Sequence, residues 1–410
     1  MSASVGPHLL RNENLVFGYD VNDYKNSFKG KPLTNLVGYF GNAYGETNNT
    51  YFKTHYYTNV QAVPRLGTVT VNAVNTFNDY SGGSGVCCEQ LFNFGSTSAV
   101  GSTVYTYSLI YRSASGYNHP NLMYKYEYGA SGYITEGGVF NASNQYSLGN
   151  GWYHAWGTFT TNAATTSMNM YCYIYEYGVY NTIEIAAVML IKGNLILPPE
   201  QFIPIGATIS NTTSLLDLTK TNTIDLTSTT FDSNGFPTFD GTSSRIIVNN
   251  NASLKNNMTS IEFIIKYNST PAGDIIQFGV GSGTYAQYYY RLEGSSTTWN
   301  WFPTSGYGYY GRIVIPNSSF TTGQYYHVVM TGDLGANVQF FINGVAQSGA
   351  TTGATTVAPT WTPNALTIGG YTWDGYSNST IPVVRIYNRV LSTTEITRNY
   401  NTFKKRFNLT

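Results

Sequence analysis

Four stretches of this chain place large side chains at every second residue. Tyr105, Tyr107, Leu109 and Tyr111 make one run; Leu122, Tyr124, Tyr126 and Tyr128 make another. Tyr171, Tyr173, Tyr175 and Tyr177 make a third, and Ile261, Phe263, Ile265 and Tyr267 a fourth. A period of two puts a whole run on one face of an extended strand, whereas a helix would scatter it around the axis. Gly-rich turns separate the runs at short intervals, the spacing of a β-sandwich or barrel. Composition agrees: 37 residues are Tyr and 42 are Gly. Tyr, Thr, Val, Ile and Phe suit pleated half-buried surfaces, and Gly, Asn and Ser supply the turns.

At 410 residues the chain is long enough for two or three domains. Residues 1–35 read as an N-terminal arm with one strand over 15–19, docking on a neighbour or on its own sandwich. Residues 36–192 read as many short strands, including 68–71, the strand of Trp156 and Phe159, and a last one through Ile183, Ile185 and Ala187. Residues 193–204 hold Pro198, Pro199 and Pro204 and read as a linker. Residues 205–410 read as a second sandwich, in which 338–342 run into Asn343-Gly344, a strong hairpin signal. Ser392 and Glu395 have capping-box spacing. Ile396, Tyr400, Phe403 and Phe407 follow at helical spacing, so a short C-terminal helix is expected. The expected fold is therefore all-β: two tandem jelly-roll or β-sandwich domains with an N-terminal arm and a short C-terminal helix. Within the first domain, residues 124–129 echo residues 173–178. The echo implies two strands of similar role, with tyrosines on one face and Glu127 and Glu176 on a solvated other face.

Charged residues make only 10% of the chain and the formal net charge is zero. That leaves no basic field for nucleic acid and no polybasic membrane patch. A neutral surface lacks self-repulsion and suits packing into an assembly. Residues 1–5 are small and polar, so no secretory leader is expected. No apolar run approaches the ~20 residues of a membrane helix, so membrane insertion is not expected either. Cys87, Cys88 and Cys172 make no disulfide framework. One pair with Cys172 stays open, but buried free thiols in a reducing cytosol fit better.

Glycoside hydrolysis needs two carboxyl groups roughly 5–10 Å apart. In the second unit the acids Glu262, Asp274, Glu293, Asp333, Asp374 and Glu395 are scattered, and no Glu-x-Asp-x-Glu occurs. Glu127 and Glu176 could pair across strands in the first unit, although a solvated face suits them better. No Gly-x-Ser-x-Gly elbow is present. His8, His55, His119, His154 and His327 lack metal-ligand spacing. Calcium would need roughly six to eight oxygens, with Asp333 and Asp374 the loop candidates in a chain poor in carboxylates. No catalytic residue, metal site or cofactor is expected. Sugar binding is the sharper reading, because a pyranose stacks its apolar face on an exposed ring while nearby polar groups read its hydroxyls. The candidates are Tyr289, Trp299, Trp301, Tyr309, Tyr371, Trp373, Asp374 and Tyr376, in or near Gly-rich loops. The same rings would also suit a core or a subunit interface.

Ordered motifs run along nearly the whole second unit: Phe239-Asp240-Gly241, Ser260-Ile261-Glu262-Phe263, Gln324-Tyr325-Tyr326-His327-Val328, Phe341-Ile342-Asn343-Gly344 and Leu366-Thr367-Ile368-Gly369-Gly370. They close on Arg385-Ile386-Tyr387-Asn388-Arg389-Val390-Leu391-Ser392 before the helix. The unit resembles concanavalin A-like lectin/glucanase domains of the laminin-G type, without the catalytic motif of the glucanases. The first unit more loosely resembles jelly-roll carbohydrate-binding modules, through Gly151-Trp152-Tyr153 and residues 185–190. Together with residues 82–88 and 15–20, the pairing resembles structural proteins of tailed bacteriophages, above all cyanophages. That resemblance implies a virion protein assembled in the host cytoplasm and exposed on head or tail as a decoration or short fibre. It would be held to other virion proteins through the arm, form a homo-oligomer (a trimer, by analogy with phage fibres) and contact host-surface polysaccharide. Two alternatives stay open: a glycoside hydrolase acting on capsular polysaccharide, and a secreted lectin-like adhesion protein.

Overall fold

The computed structural model describes residues 12–37, 41–42, 52–78, 87–113, 123–138, 144–176, 181–249, 259–269, 273–278, 288–292, 297–301, 311–315, 319–333, 336–348, 351–352, 365–371 and 375–410. Strands dominate them, and the chain divides into two units. The division is not the tandem one. One unit is residues 33–209; the other combines residues 1–32 with 210–410. The first unit is thus an insertion in the second. Its entry and exit lie side by side, because Leu33–Thr34 pairs antiparallel with Thr208–Ile209.

In the inserted unit, one sheet runs in the order Gln145–Gly149, Trp152–Thr160, Val104–Ser113, Asn181–Lys192, Gly67–Asn78, Phe52–Val63. The other runs Gly41–Asn42, Cys87–Ser98, Ser167–Glu176, Met123–Gly129, Gly132–Gly138. The core lies between them. Tyr105, Tyr107, Leu109 and Tyr111 all face it, with Ile183, Ile185, Met168 and Met170. The two echoing tyrosine strands are neighbours, with Tyr171 opposite Tyr124. Cys88 pairs with Tyr175, three residues along the strand from Cys172. That is ~10 Å of strand, beyond the ~7 Å Cα reach of a disulfide.

The proposed linker at 193–204 packs into this unit. Leu195, Leu197 and Ile203 are buried against Met189 and Ile191, on the sheet face turned away from the main core. Asn35 ties the stretch down by donating to the carbonyls of Val188 and Ile203 at 3.0 and 2.9 Å. Three prolines punctuate the chain here, but apolar residues between them bind it to the sheet.

The other unit is a sandwich of an eight-stranded and a seven-stranded sheet. Its core mixes both: Phe263, Val328, Phe340 and Ile386 from one, and Ile246, Val248, Leu366 and Ile368 from the other. The expected arm is part of this sandwich. Leu15–Asp20 pairs antiparallel with the last strand, Asn378–Tyr387, from Leu15 opposite Tyr387 to Asp20 opposite Val383. Phe17 and Tyr19 are fully buried in the core. The Tyr19 hydroxyl donates to the Ile381 carbonyl at 2.9 Å. The position is vacant because Pro237–Asp240 covers the same edge only from Asn378 to Thr380. Asp217 then holds the strand in place by accepting from the Gly18 amide at 3.1 Å. An alternating Leu-Val-Phe-Gly-Tyr run gains more by completing a sheet than by extending into solvent.

Two motifs meet at a glycine. Gly369 has φ +93°, and a Cβ there would lie 2.1 Å from Cδ1 of Phe239. Only glycine combines that backbone with that contact. On the outer face of the eight-stranded sheet lies the helix, Thr393–Phe407, capped by Ser392 and Glu395 in a full capping box. Its Ile396, Phe403 and Phe407 are buried against Ile264, Val329 and Val383. Asn343 and Gly344, at φ +50° and +76°, form the expected hairpin turn.

Candidate functional site

Carboxylates were the first requirement for catalysis, and those whose side chains are described are committed elsewhere. Glu262 is fully buried under the helix. It accepts from His327 Nε2 at 2.8 Å, the Tyr387 hydroxyl at 2.9 Å and Asn399 Nδ2 at 3.0 and 3.1 Å, with Arg385 Nε at 3.6 Å. Burial opposes its charge, but His327, Arg385 and Asn399 outweigh that and hold its pKa below the ordinary value. It is an ionised clasp for the helix. Glu395 belongs to the capping box and the Arg389 pair, and its pKa falls to about 2. Asp274 and Asp333 lie in strands, in Gly273–Phe278 and Tyr325–Asp333. Glu293 and Asp374 fall outside the described residues.

The pair imagined from Glu127 and Glu176 does not form. Glu127 lies opposite Met168, eight residues along the strand from Glu176, or ~26 Å. Nor does Glu127 face solvent: it is buried, as is Lys125 beside it. The two side chains pair, and Glu127 also accepts from the Asn162 amide at 2.8 Å and the Thr165 hydroxyl at 2.5 Å. Burial again opposes the charge, and Lys125, Thr165 and Asn162 bring the pKa below its ordinary value. Because Lys125 and Glu127 stand opposite Met170 and Met168, the alternation is inverted from the expected one. The charges face inward and the tyrosines outward.

That inversion builds a tyrosine face on the five-stranded sheet. Tyr126, Tyr133 and Tyr171 come from three adjacent strands. Ring centroids of Tyr126 and Tyr171 are 5.5 Å apart, edge to face; Tyr126 and Tyr133 are 6.5 Å apart, and Tyr128 and Tyr133 6.3 Å. Tyr133 is 58% exposed, a large fraction for so large an aromatic ring. Asn169 stands opposite Tyr126 and donates to the Tyr171 hydroxyl at 3.3 Å. Its Oδ1 is buried with no hydrogen-bond partner among the described residues. The face therefore offers aromatic edges and phenol groups over two strand spacings, roughly 10 Å, with the Asn169 amide oxygen buried beneath the rings. Sequence reasoning found Tyr126, Tyr128 and Tyr171 but not their outward orientation, and it missed Tyr133. The inward methionines opposite Lys125 and Glu127 were the missing signal.

The aromatic set expected in the second unit is distributed over two sheets. Tyr289 pairs with Gln277, and Tyr376 with Gly370 and Asp274, so both border the strand Gly273–Phe278. Tyr371, opposite Gly375, belongs to the same sheet. Trp299 and Trp301 pair with Ile313 and Gly311 in a separate three-stranded sheet. Tyr376 is half-buried and accepts from Arg245 Nη1 at 3.2 Å. Tyr309, Trp373 and Asp374 lie outside the described residues. No three His, Cys, Asp or Glu side chains converge as metal ligands among the described residues.

Residues 240–397 match the family model described as the concanavalin A-like lectin/glucanases superfamily, laminin-G type. No curated protein matches the chain. Among solved structures, Trypanosoma rangeli sialidase bound to 2,3-difluorosialic acid aligns at 17% identity over 47% of this chain and 31% of that one, with a TM-score of 0.33. The binding domain of botulinum neurotoxin serotype D aligns at 16% identity over 46% and 49%, with a TM-score of 0.37. The receptor-binding domain of the mosaic serotype C/D gives 16%, 46% and 48%, with a TM-score of 0.37. The chain thus spans less than half the length of each. The second unit carries a lectin-like β-sandwich domain of the concanavalin A type.

Proposed function

We propose that this chain is a non-catalytic glycan-binding protein displayed on the surface of a phage particle. The observation that carries the binding half is the tyrosine face, where the rings of Tyr126, Tyr133 and Tyr171 cluster on an outward sheet surface and Tyr133 is 58% exposed. Large exposed rings are costly to leave in water, and a pyranose covers them while its hydroxyls reach the polar tips. In the lectin-like second unit the aromatic residues Tyr289, Trp299, Trp301, Tyr309, Tyr371, Trp373 and Tyr376, with Asp374, are further candidate sugar contacts. Glu127, Glu262 and Glu395 serve structural networks, which favours binding over hydrolysis. The virion half rests on the resemblance and on a charge-poor, neutral chain suited to dense packing. Its partners are other particle proteins and host-surface polysaccharide, and its assembled form is a homotrimer.

Two experiments test the proposal. Host-surface polysaccharide should be retained by the wild-type chain and lost with Tyr126→Ala and Tyr133→Ala combined. Mass spectrometry of purified particles should find the chain at structural copy number. Retention unchanged in the double variant sinks the binding half, and absence from particles sinks the virion half.

A further inference from the structure

Beside the C-terminal end of the helix the second unit has an open pocket of ≈ 370 Å³. Its floor is aromatic. Phe407 ends the helix with its ring centroid 6.2 Å from Phe236 and 5.5 Å from Tyr325. Phe236 is delivered by a tight turn in which Asp232 Oδ1 accepts from the amides of Asn234 and Phe236, each at 2.9 Å. Burial, and then the negative charge of Asp232, raise the pKa of Tyr325, so its hydroxyl keeps its proton.

The rim is made of carboxamides. Asn234, Gln324 and Asn408 are exposed at its edge. The side-chain amides of Asn234 and Asn408 make no hydrogen bond among the described residues. Gln324 uses only its oxygen, which accepts from the Tyr326 hydroxyl at 3.4 Å. The one cationic side chain in the lining, Arg406, is spent on Asp20, with Nη1 at 2.9 Å from Oδ2 and Nη2 on Oδ1. Its Nε is buried without a hydrogen-bond partner among the described residues, so the charge facing the cavity is that of an ion pair already formed.

We propose that this pocket binds the end of a neutral saccharide, one or two pyranose rings, with an apolar ring face against Phe236 or Tyr325 above the buried Phe407 and hydroxyls on the three carboxamides. Each carboxamide both donates and accepts, which matches neighbouring hydroxyls. An apolar ligand would strand those amides, and an anionic sugar would lose hydration with no free cation to replace it. The volume lies near the lower end of the small-molecule range of roughly 300–1,000 Å³, too small for a long chain. The site is in a different unit from the tyrosine face and stands or falls independently of it.

Saturation-transfer NMR on the full chain tests this with the methyl α- and β-glycosides of glucose, galactose and mannose, and methyl glucuronide as the charged control. At least one neutral glycoside should give a signal that persists in the Tyr126→Ala/Tyr133→Ala variant. Its affinity should fall about tenfold or more in Gln324→Trp, which fills the pocket from an exposed turn. A matching loss is expected in Asn234→Ala/Asn408→Gly, where glycine keeps the left-handed backbone of residue 408. Unchanged melting curves establish that these variants fold. Absence of any neutral signal, a signal that survives Gln324→Trp in the Tyr126→Ala/Tyr133→Ala background, or equal binding of the glucuronide overturns the proposal.

Discussion

His154 should make the inserted unit sensitive to mild acid. Its side chain is fully buried among Tyr146, Trp156 and Phe202, whose ring centroids each lie 5.2 Å from its own. One ring nitrogen, Nδ1, meets the Tyr146 hydroxyl at 3.2 Å, and Nε2 has no hydrogen-bond partner among the described residues. Burial, and then the charge of Arg65, lower its pKa from 6.5 to about 4. The unfolded chain takes up this proton as pH drops through 6.5, whereas the folded unit refuses it until about pH 4. Stability from this group is therefore full above pH 6.5 and lost as pH falls from there to about 4. At ~1.4 kcal/mol per pH unit the whole window is worth ~3 kcal/mol, and ~2 kcal/mol is lost between pH 7 and pH 5. With a urea slope of about 2 kcal/mol/M, the unfolding midpoint should drop by about 1 M over that range. Urea titrations followed by tryptophan emission, with NMR titration of the His154 ring, measure both quantities. His154→Phe should remove the slope. A midpoint equal at pH 7 and pH 5, a ring pKa of 6 or above, or the same slope in His154→Phe would refute the reasoning.

The remaining predictions concern the second unit. Phe17→Ala deletes a fully buried ring and should cost about 3–5 kcal/mol. The loss should appear in the unit of residues 210–410 by hydrogen exchange and leave residues 33–209 unchanged. Glu262→Gln leaves Arg385 and His327 buried without their anion and should cost about 3–5 kcal/mol by chemical denaturation; a loss under 1 kcal/mol would deny the clasp. Because the pKa of Glu262 is lowered, its contribution is present above about pH 4.5 and lost as pH falls further, so acid unfolding of this unit should begin lower than the His154 effect.

Local signals in the sequence were faithful where a short stretch decides its own conformation. The period-two runs became strands, Asn343-Gly344 a hairpin turn, and Ser392 with Glu395 a cap. What the sequence concealed was partnership. Nothing near Leu15 says that its neighbour is Tyr387, because strand pattern encodes an apolar face and not the distant edge that accepts it. The insertion of residues 33–209 was hidden for the same reason. The prolines at 198, 199 and 204 mark irregular backbone correctly, but buried Leu195, Leu197 and Ile203 keep that backbone on the sheet. On the tyrosine strands the usual rule of charge outside failed. Lys125 and Glu127 neutralise each other inside, and the freed outer face went to tyrosines. Of the aromatic set expected in the second unit, strand register brings Tyr289, Tyr371 and Tyr376 into one sheet and puts Trp299 and Trp301 in another. Alternation along one strand carries no information about such placement between strands.

The central claim is binding without cleavage through an outward tyrosine surface. Its most direct test is titration calorimetry of the full chain with host-surface polysaccharide, alongside an assay for new reducing ends. Saturable binding is expected, with a loss of about tenfold or more in Tyr126→Ala/Tyr133→Ala, an unchanged melting curve and no reducing ends released. Reducing ends appearing with time, or an affinity indifferent to both tyrosines, would contradict it.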